Sequence, residues 1–348
     1  MDNFLFGVNF NCFRCATYQN RSNMPEPPDS YIDDSFKIFH EGGLNCIRIP
    51  IYWESYEHNP DEFIKELVHI SNTADKYNIF CIYDNHQWEC SSYLGYGIGF
   101  PNSLLKQYFP KDDPKKTSMN PPSGNDIRNF WNNWWDRKLE TAEGIDGWNA
   151  QLEYLEKVVN QVKDSKSTFG FEILNEPQVH RWSDFKNVGK YHYYILDKLA
   201  LKTNKTFFLC WTNSSLSIEN ILPEEQAKVK PSSTSFKNNL IYDIHPYPPS
   251  IPMMTFYKAT SFLMDNIPIY AGEFNCGIKK GATINESDFV KYINLLKQFS
   301  VSGCALWQWS WTVDKNYPAF NLTEIIDGKI SPNDNFRNFV KSIKTNHN

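Results

Sequence analysis

Glu176 closes the run Phe169-Gly-Phe-Glu-Ile-Leu-Asn-Glu-Pro177, and Glu273 closes Ile267-Pro-Ile-Tyr-Ala-Gly-Glu273. Both runs are apolar and aromatic, as buried strands are, and Pro177 cannot continue a hydrogen-bond ladder. Each therefore leaves a carboxyl group at the carboxyl end of a buried strand, where parallel α/β folds keep their chemistry. Two such groups suit cleavage of a glycosidic bond. One protonates the leaving oxygen, while the other attacks the anomeric carbon or activates water. The acid must be held protonated near neutral pH, with a raised pKa, and its partner must be held ionised by donors.

Polar or aromatic residues also end the other strand-like runs. They are Arg48 in Cys-Ile-Arg-Ile-Pro50, His86 in Ile-Tyr-Asp-Asn-His86, and Asn175 beside Glu176. His245 and Tyr247 end Ile-Tyr-Asp-Ile-His-Pro-Tyr247, and Trp307 and Trp309 lie in Leu-Trp-Gln-Trp-Ser310. Arg48 and Tyr247 are suited to donate to Glu273, and Asn175 to hold a sugar 2-OH. Arg48 has a structural alternative. Glu172 shares inward parity with Glu176, and a buried carboxylate needs a partner.

The elements that must position these residues recur with a near-regular beat. Strands are expected over Phe4–Phe10, Cys46–Ile49, Phe80–Asp84, Phe169–Leu174, Thr206–Trp211, Leu240–Ile244, Ile267–Gly272 and Cys304–Trp309. Helical periodicity lies between them, as in Asp33–His40, Gly147–Val162 and Ser287–Phe299, and Asn333–Ile343 follows the last strand. Eight strand–helix repeats describe an α/β (β/α)₈ barrel, expected as one domain over residues 1–348. In such a barrel the fourth and seventh strands face each other across the mouth, so their carboxyls can approach to roughly 5 Å.

The excess over a minimal barrel is a long insertion after the third strand, between His86 and Asp146. It is marked by Gly95, Gly97, Gly99, Pro101, Pro110, Pro114, Pro121 and Pro122. It also carries Phe130-Trp131-Asn-Asn-Trp134-Trp135. A short helix packing its rings on the barrel is one reading, and the wall of a sugar cleft is the other. Aromatic residues make up 16% of the chain, with 11 Trp, a surplus that suits the apolar faces of sugars. Trp88, Tyr93, Tyr96, Trp131, Trp134, Trp135, Trp182 and Trp211 are candidate stacking platforms, with Trp307 on the last strand.

The residues at the strand ends together resemble family 5 glycoside hydrolases, the cellulase family of the large retaining barrel clan. Asn175-Glu176-Pro177 resembles the clan's acid/base motif, and Ala271-Gly-Glu-Phe274 its nucleophile strand. Arg48, His86 and His245-x-Tyr247 narrow the resemblance to family 5. It covers essentially the whole chain. It implies Glu176 as general acid/base and Glu273 as nucleophile, with Arg48 and Tyr247 keeping Glu273 ionised. It implies that His245 tunes Glu176 and that His86 and Asn175 hold hydroxyls of the −1 sugar. A tryptophan of the last strand would floor that subsite, with Trp309 fitting the spacing best and Trp307 the fallback. No metal or organic cofactor is implied. The expected substrate is a β-1,4-glucan polysaccharide or oligosaccharide, cut by an endo-acting monomer. A β-mannanase and a non-catalytic carbohydrate-binding barrel are the alternatives.

A formal charge of −5 with no long basic run argues against nucleic acid as partner, and no stretch is long and apolar enough for a transmembrane helix. No signal-peptide pattern is visible, since strand-like sequence begins at Phe4. The expectation is secretion with a leader outside this sequence, with a cytoplasmic location as the alternative. Eight cysteines in so long a chain do not make a disulfide scaffold. Cys12-x-x-Cys15 has the spacing of a half-site for metal, but no second pair follows it. Sequons occur at Asn20, Asn204, Asn213, Asn285 and Asn321.

Overall fold

The computed structural model describes residues 4–16, 25–94, 96–106, 108, 124–214, 227–231, 239–247, 259–277, 281–312 and 317–347. Asn20, Gly95, Pro110, Pro114, Pro121, Pro122 and the Tyr96 ring lie outside the described residues. Eight strands close a parallel barrel: β1 Leu5–Phe10, β2 Cys46–Ile51, β3 Phe80–Asn85, β4 Thr168–Glu172, β5 Thr206–Cys210, β6 Leu240–Ile244, β7 Ile269–Phe274 and β8 Val301–Trp309. Each pairs with its neighbours in sequence, and β8 pairs with β1, so the chain folds as a (β/α)₈ barrel.

The helices begin and end where side chains can satisfy loose backbone groups. They are α1 Tyr31–Glu41, α2 Pro60–Tyr77, α3 Gly147–Val162, α4 Asp184–Leu199, α5 Glu286–Gln298 and α6 Asp334–His347. The Asn59 side chain accepts from the Glu62 N–H ahead of Pro60, and Asp146 accepts from the Asn149 N–H. Asn285 and Asp288 form a reciprocal capping box on α5, so the cap lies two residues before the expected Ser287. The apolar faces of these helices cover the outward side chains of the strands, such as Phe6, Val8 and Phe10 of β1.

Side chains alternate along a strand, so every second residue enters the barrel. Leu5, Cys46, Ile82, Phe208, Ile241, Tyr270 and Ala305 plug its lower end. Two residues further along β2, β3 and β6 come Arg48, Asp84 and Asp243, each fully buried. Another two residues bring His86 and His245 to the mouth. The interior thus changes from apolar to charged to titratable over about 13 Å of strand.

The insertion after β3 carries its own small core. A hairpin of Trp88–Ser91 and Tyr96–Ile98 is followed by the helix Gly124–Trp135. Trp131, Trp134 and Trp135 are buried, packed against Phe100, Phe130 and Tyr191. The Trp131 and Trp135 indoles donate to the carbonyls of Glu89 and Gln178. These three rings are therefore not cleft platforms. The helix buries the face that carries them, and the indole N–H groups of Trp131 and Trp135 find backbone partners. Trp134→Ala should cost about 3–5 kcal/mol, read as a lower denaturant midpoint, without a change in KM in the properly folded fraction.

Cys12 and Cys15 are buried single thiols in the loop after β1, facing the carbonyls of Phe10 and Phe63. His192 on α4 is buried and donates its Nδ1–H to the Val229 carbonyl. Burial holds its pKa down at about 4, so it is neutral in the folded chain. The unfolded chain binds a proton there below pH ~6.5 that the folded chain refuses until about 4. Stability therefore falls as pH drops through that window, by about 3 kcal/mol from this residue. Urea midpoints at neutral pH and near pH 4.5 should differ less in His192→Gln than in the parent.

Candidate active site

The mouth of the barrel gathers the carboxyl-terminal ends of six strands around two glutamates. Glu273 is the fifth residue of β7, and Arg48 Nη1 and the Tyr247 hydroxyl donate to its two oxygens at 3.0 and 3.1 Å. Glu176 lies four residues past β4, in the turn that Pro177 enforces, with a left-handed backbone (φ 36°). Gln87 pins that strained turn, its side-chain amide donating to the carbonyls of both Asn175 and Glu176 at 2.9 Å. His245 donates from Nδ1 to Glu176 Oε1 at 2.7 Å, and the Trp211 indole donates to the same oxygen at 3.3 Å. One oxygen each of Glu176 and Glu273 and a ring nitrogen of His245 all lie within 4.8 Å of one another.

Beneath the glutamates, Arg48 is the hub. Its guanidinium donates to Glu172 Oε2 at 2.9 Å, Asn9 Oδ1 at 2.8 Å and Asn175 Oδ1 at 2.8 Å, as well as to Glu273. It also lies 3.1 Å from Asp84 Oδ2. The ion pair with Glu172 and the contact with Glu273 therefore coexist. Burial alone would lower the Arg48 pKa, but Asp84, Glu172, Glu273 and Asp243 outweigh it and hold the guanidinium charged.

His86 sets its Nδ1 2.6 Å from Asp84 Oδ2 and its ring 5.6 Å from Trp307, nearly parallel. Burial pushes His86 down to about 4, so it is neutral, and Asn175 Nδ2 approaches its other nitrogen at 3.4 Å. Burial raises Tyr247, which stays a phenol able to donate. For Glu176, burial raises the carboxyl, but the hydrogen bond and charge of His245, with the Trp211 indole and His86, together outweigh it and hold the group below its usual range. His245 is displaced upward: burial opposes its charge, while Glu273 and Glu176 favour it more. In the free site the proton of this pair thus sits on His245. That departs from the expectation of a neutral Glu176, because the sequence places no cation beside that residue and the fold does.

Trp307, not Trp309, faces the site. Val8 pairs with Leu306 but Phe10 pairs with Trp309, so β8 carries one extra residue in this stretch. That irregularity puts the two tryptophans on opposite faces. Trp309 is buried behind the barrel wall between Phe39 and Phe336, its indole donating to Ser35. The Trp307–Gln308 peptide within the stretch is cis. Trp88 and Trp182 are each 47% exposed, which leaves them open as platforms, whereas Trp211 is 9% exposed and acts as a donor to Glu176.

Asn9, Asp84, Gln87 and Asp243 belong to the site and were not among the sequence candidates. Asn9 accepts from Arg48 and donates to the carbonyls of Gly272 and Ala305. The signal was legible: three are polar residues at inward positions of apolar runs, and Gln87 directly follows His86.

Residues 7–313 match the family model described as cellulase, glycosyl hydrolase family 5. An endoglycoceramidase of Hydra vulgaris is 28% identical over 171 residues, covering 43% of this chain and 32% of that protein. The match thus spans about a third of the length of that curated relative. Among solved structures, an endogalactoceramidase aligns over 98% of this chain and 80% of its own, with a TM-score of 0.70 at 13% identity. An endoglucanase of Pseudomonas stutzeri aligns over 97% of this chain and 93% of its own, with a TM-score of 0.60 at 16% identity. With a family model matched over most of its length, the chain belongs to the cellulase family, glycosyl hydrolase family 5.

Proposed function

We propose that this glycoside hydrolase is a retaining, endo-acting enzyme that releases an intact sugar chain from a glycosylated ceramide. Glu273 is the nucleophile and Glu176 the general acid/base. The observation that carries the reaction is the proximity of the two carboxylates. Oxygens within 4.8 Å suit a double displacement, for which about 5–5.5 Å is usual, and leave no room for a water between them.

In the first step a Glu273 oxygen bonds to the anomeric carbon as the glycosidic C–O bond breaks. The leaving oxygen takes a proton from Glu176. Substrate that covers Glu176 strips its remaining water and favours its neutral form, so the proton crosses from His245 Nδ1 along the 2.7 Å bond. Esterification then removes the Glu273 charge that helped keep His245 protonated. Glu176, now ionised, takes a proton from water, which attacks the ester and frees Glu273. Asn175 and His86, beside the nucleophile, hold sugar hydroxyls over the Trp307 ring.

The substrate half rests on kinship with an endoglycoceramidase and on the burial of Trp131, Trp134 and Trp135. Without those rings, the row of platforms that favours a long glucan is short. Endo-β-1,4-glucanase action is the second reading, favoured by the exposed Trp88 and Trp182 and by likeness to an endoglucanase. A panel of lactosylceramide, soluble cellulose, barley glucan and mannan separates them. Release of intact lactose from the lipid is expected, with retained β configuration in the first product. Reducing ends from glucan and none from the lipid would overturn the ceramide reading.

A further inference from the structure

We propose that Asp243 and Glu172 share one proton, carried by Asp243, and act as a single negative charge beneath both reacting glutamates. Asp243 is then a positioning residue for the pair, and the inference rests on the roles assigned above to Glu176 and Glu273.

Asp243 Oδ1 accepts the Gly272 N–H at 2.5 Å. Its Oδ2 lies 3.6 Å from Arg48 Nε and 4.0 Å from His245 Nε2, with no hydrogen-bond partner among the described residues. Glu172 Oε2 accepts from Arg48, and its Oε1 likewise has no partner. Two buried carboxylate oxygens without donors are costly. A proton on Asp243 Oδ2, donated to Glu172 Oε1, satisfies both atoms at once. Asp243 and Glu172 lie in side-chain hydrogen-bond contact, and Gly272 leaves room for the Asp243 carboxyl, since a Cβ there would collide with it.

Charge gives the same answer. Five carboxyls, Asp84, Glu172, Glu176, Asp243 and Glu273, crowd around Arg48 and His245, the only groups there among the described residues that carry positive charge while His86 is neutral. Cys210 on β5 and Tyr270 on β7 also face Asp243, and burial keeps each protonated. Burial and the Glu172 charge both push the Asp243 carboxyl up, while Arg48 outweighs burial at Glu172 and holds it down. Asp84 is a rival home for the proton, since its Oδ1 also has no partner among the described residues, but its Oδ2 has both Arg48 and His86 as donors, whereas Asp243 has only the Gly272 N–H. Since Arg48 serves Glu273 and His245 serves Glu176, a second charge on the pair would displace the ionisation of both catalytic groups.

Asp243→Asn is the test, because its amide can donate to Glu172 and accept from Gly272. It should leave both limbs of the pH–rate profile in place, the readout being the position of the limbs and not the rate. Glu172→Gln combined with Asp243→Asn removes the shared charge and should move the alkaline limb to lower pH, because His245 loses a nearby anion. Infrared spectra should show a protonated carboxylic acid in the parent at about pH 8 that is missing from Asp243→Asn. Limbs displaced in Asp243→Asn, or no such band in the parent, would overturn the proposal. Should Asp243→Asn not fold, Asp243→Ser, neutral and still a donor, takes its place. The infrared readout needs no substrate, and the pH profile can use any glycoside that is hydrolysed, so failure of the ceramide reading is seen separately.

Discussion

Glu273→Gln will abolish turnover of every substrate, whatever its leaving group, with a loss on the order of 10⁵-fold or more in kcat. The amide nitrogen cannot displace a leaving group, and among the described residues no other carboxylate shares the Arg48 and Tyr247 donors that hold Glu273. Glu172 is tied to Arg48 below, and Glu176 stands on the opposite side of the bond to be cut. The amide oxygen still accepts from Arg48, and its NH2 can donate to the Tyr247 oxygen, so the fold and the sugar contacts should survive. Calorimetry with an unhydrolysed oligosaccharide will check this: binding within a few fold of the parent, with no product after long incubation. Residual turnover within a hundredfold of the parent would mean that Glu273 is not the nucleophile.

Glu176→Gln should divide substrates by their leaving groups. A sugar or ceramide hydroxyl leaves poorly without a proton, so kcat/KM should fall by about 10²–10⁴-fold. A dinitrophenyl glycoside needs no proton in the first step and should form the glycosyl–enzyme at near the parent rate. Its hydrolysis then stalls for want of a base, and the intermediate accumulates as a burst. Added azide, a nucleophile that needs no deprotonation, should restore turnover and yield a β-glycosyl azide. An equal loss on natural and activated substrates, without a burst, would contradict the assigned role. The His245–Glu176 bond adds a further expectation. His245→Phe, by removing the proton's resting place, should shift the alkaline limb while sparing the activated substrate more than the natural one.

The strand pattern made the barrel legible because each of the eight runs is apolar, short and stopped by a turn residue. Arg48, Glu176, His245 and Glu273 were legible for the same reason, since a strand end fixes a residue's height and parity fixes its direction. Trp309 was misread because parity holds only while the register does, and one extra residue between Leu306 and Trp309 reversed it. The tryptophans of the insertion were open to two readings. Ring count says nothing of which face a helix buries, and that depended on Phe100 and Tyr191, distant in sequence. The ionisation of Glu176 was misjudged although His245 was in view as its tuner, because the balance between burial and that histidine is set only in the fold.

The irregular stretch of β8 has a bearing on how such a site changes over generations. Substitution alters what a side chain is but leaves where it points. In this strand, the position of one extra residue decides which face each tryptophan meets, the sugar's or that of Phe39 and Phe336. Two rings of equal bulk already stand on either side of that switch, so moving the extra residue past Trp309 would bring its ring to the mouth beside Trp307 in one step. Libraries that sample lengths of the segment 306–310 would therefore explore subsite shapes that libraries of point mutants cannot reach.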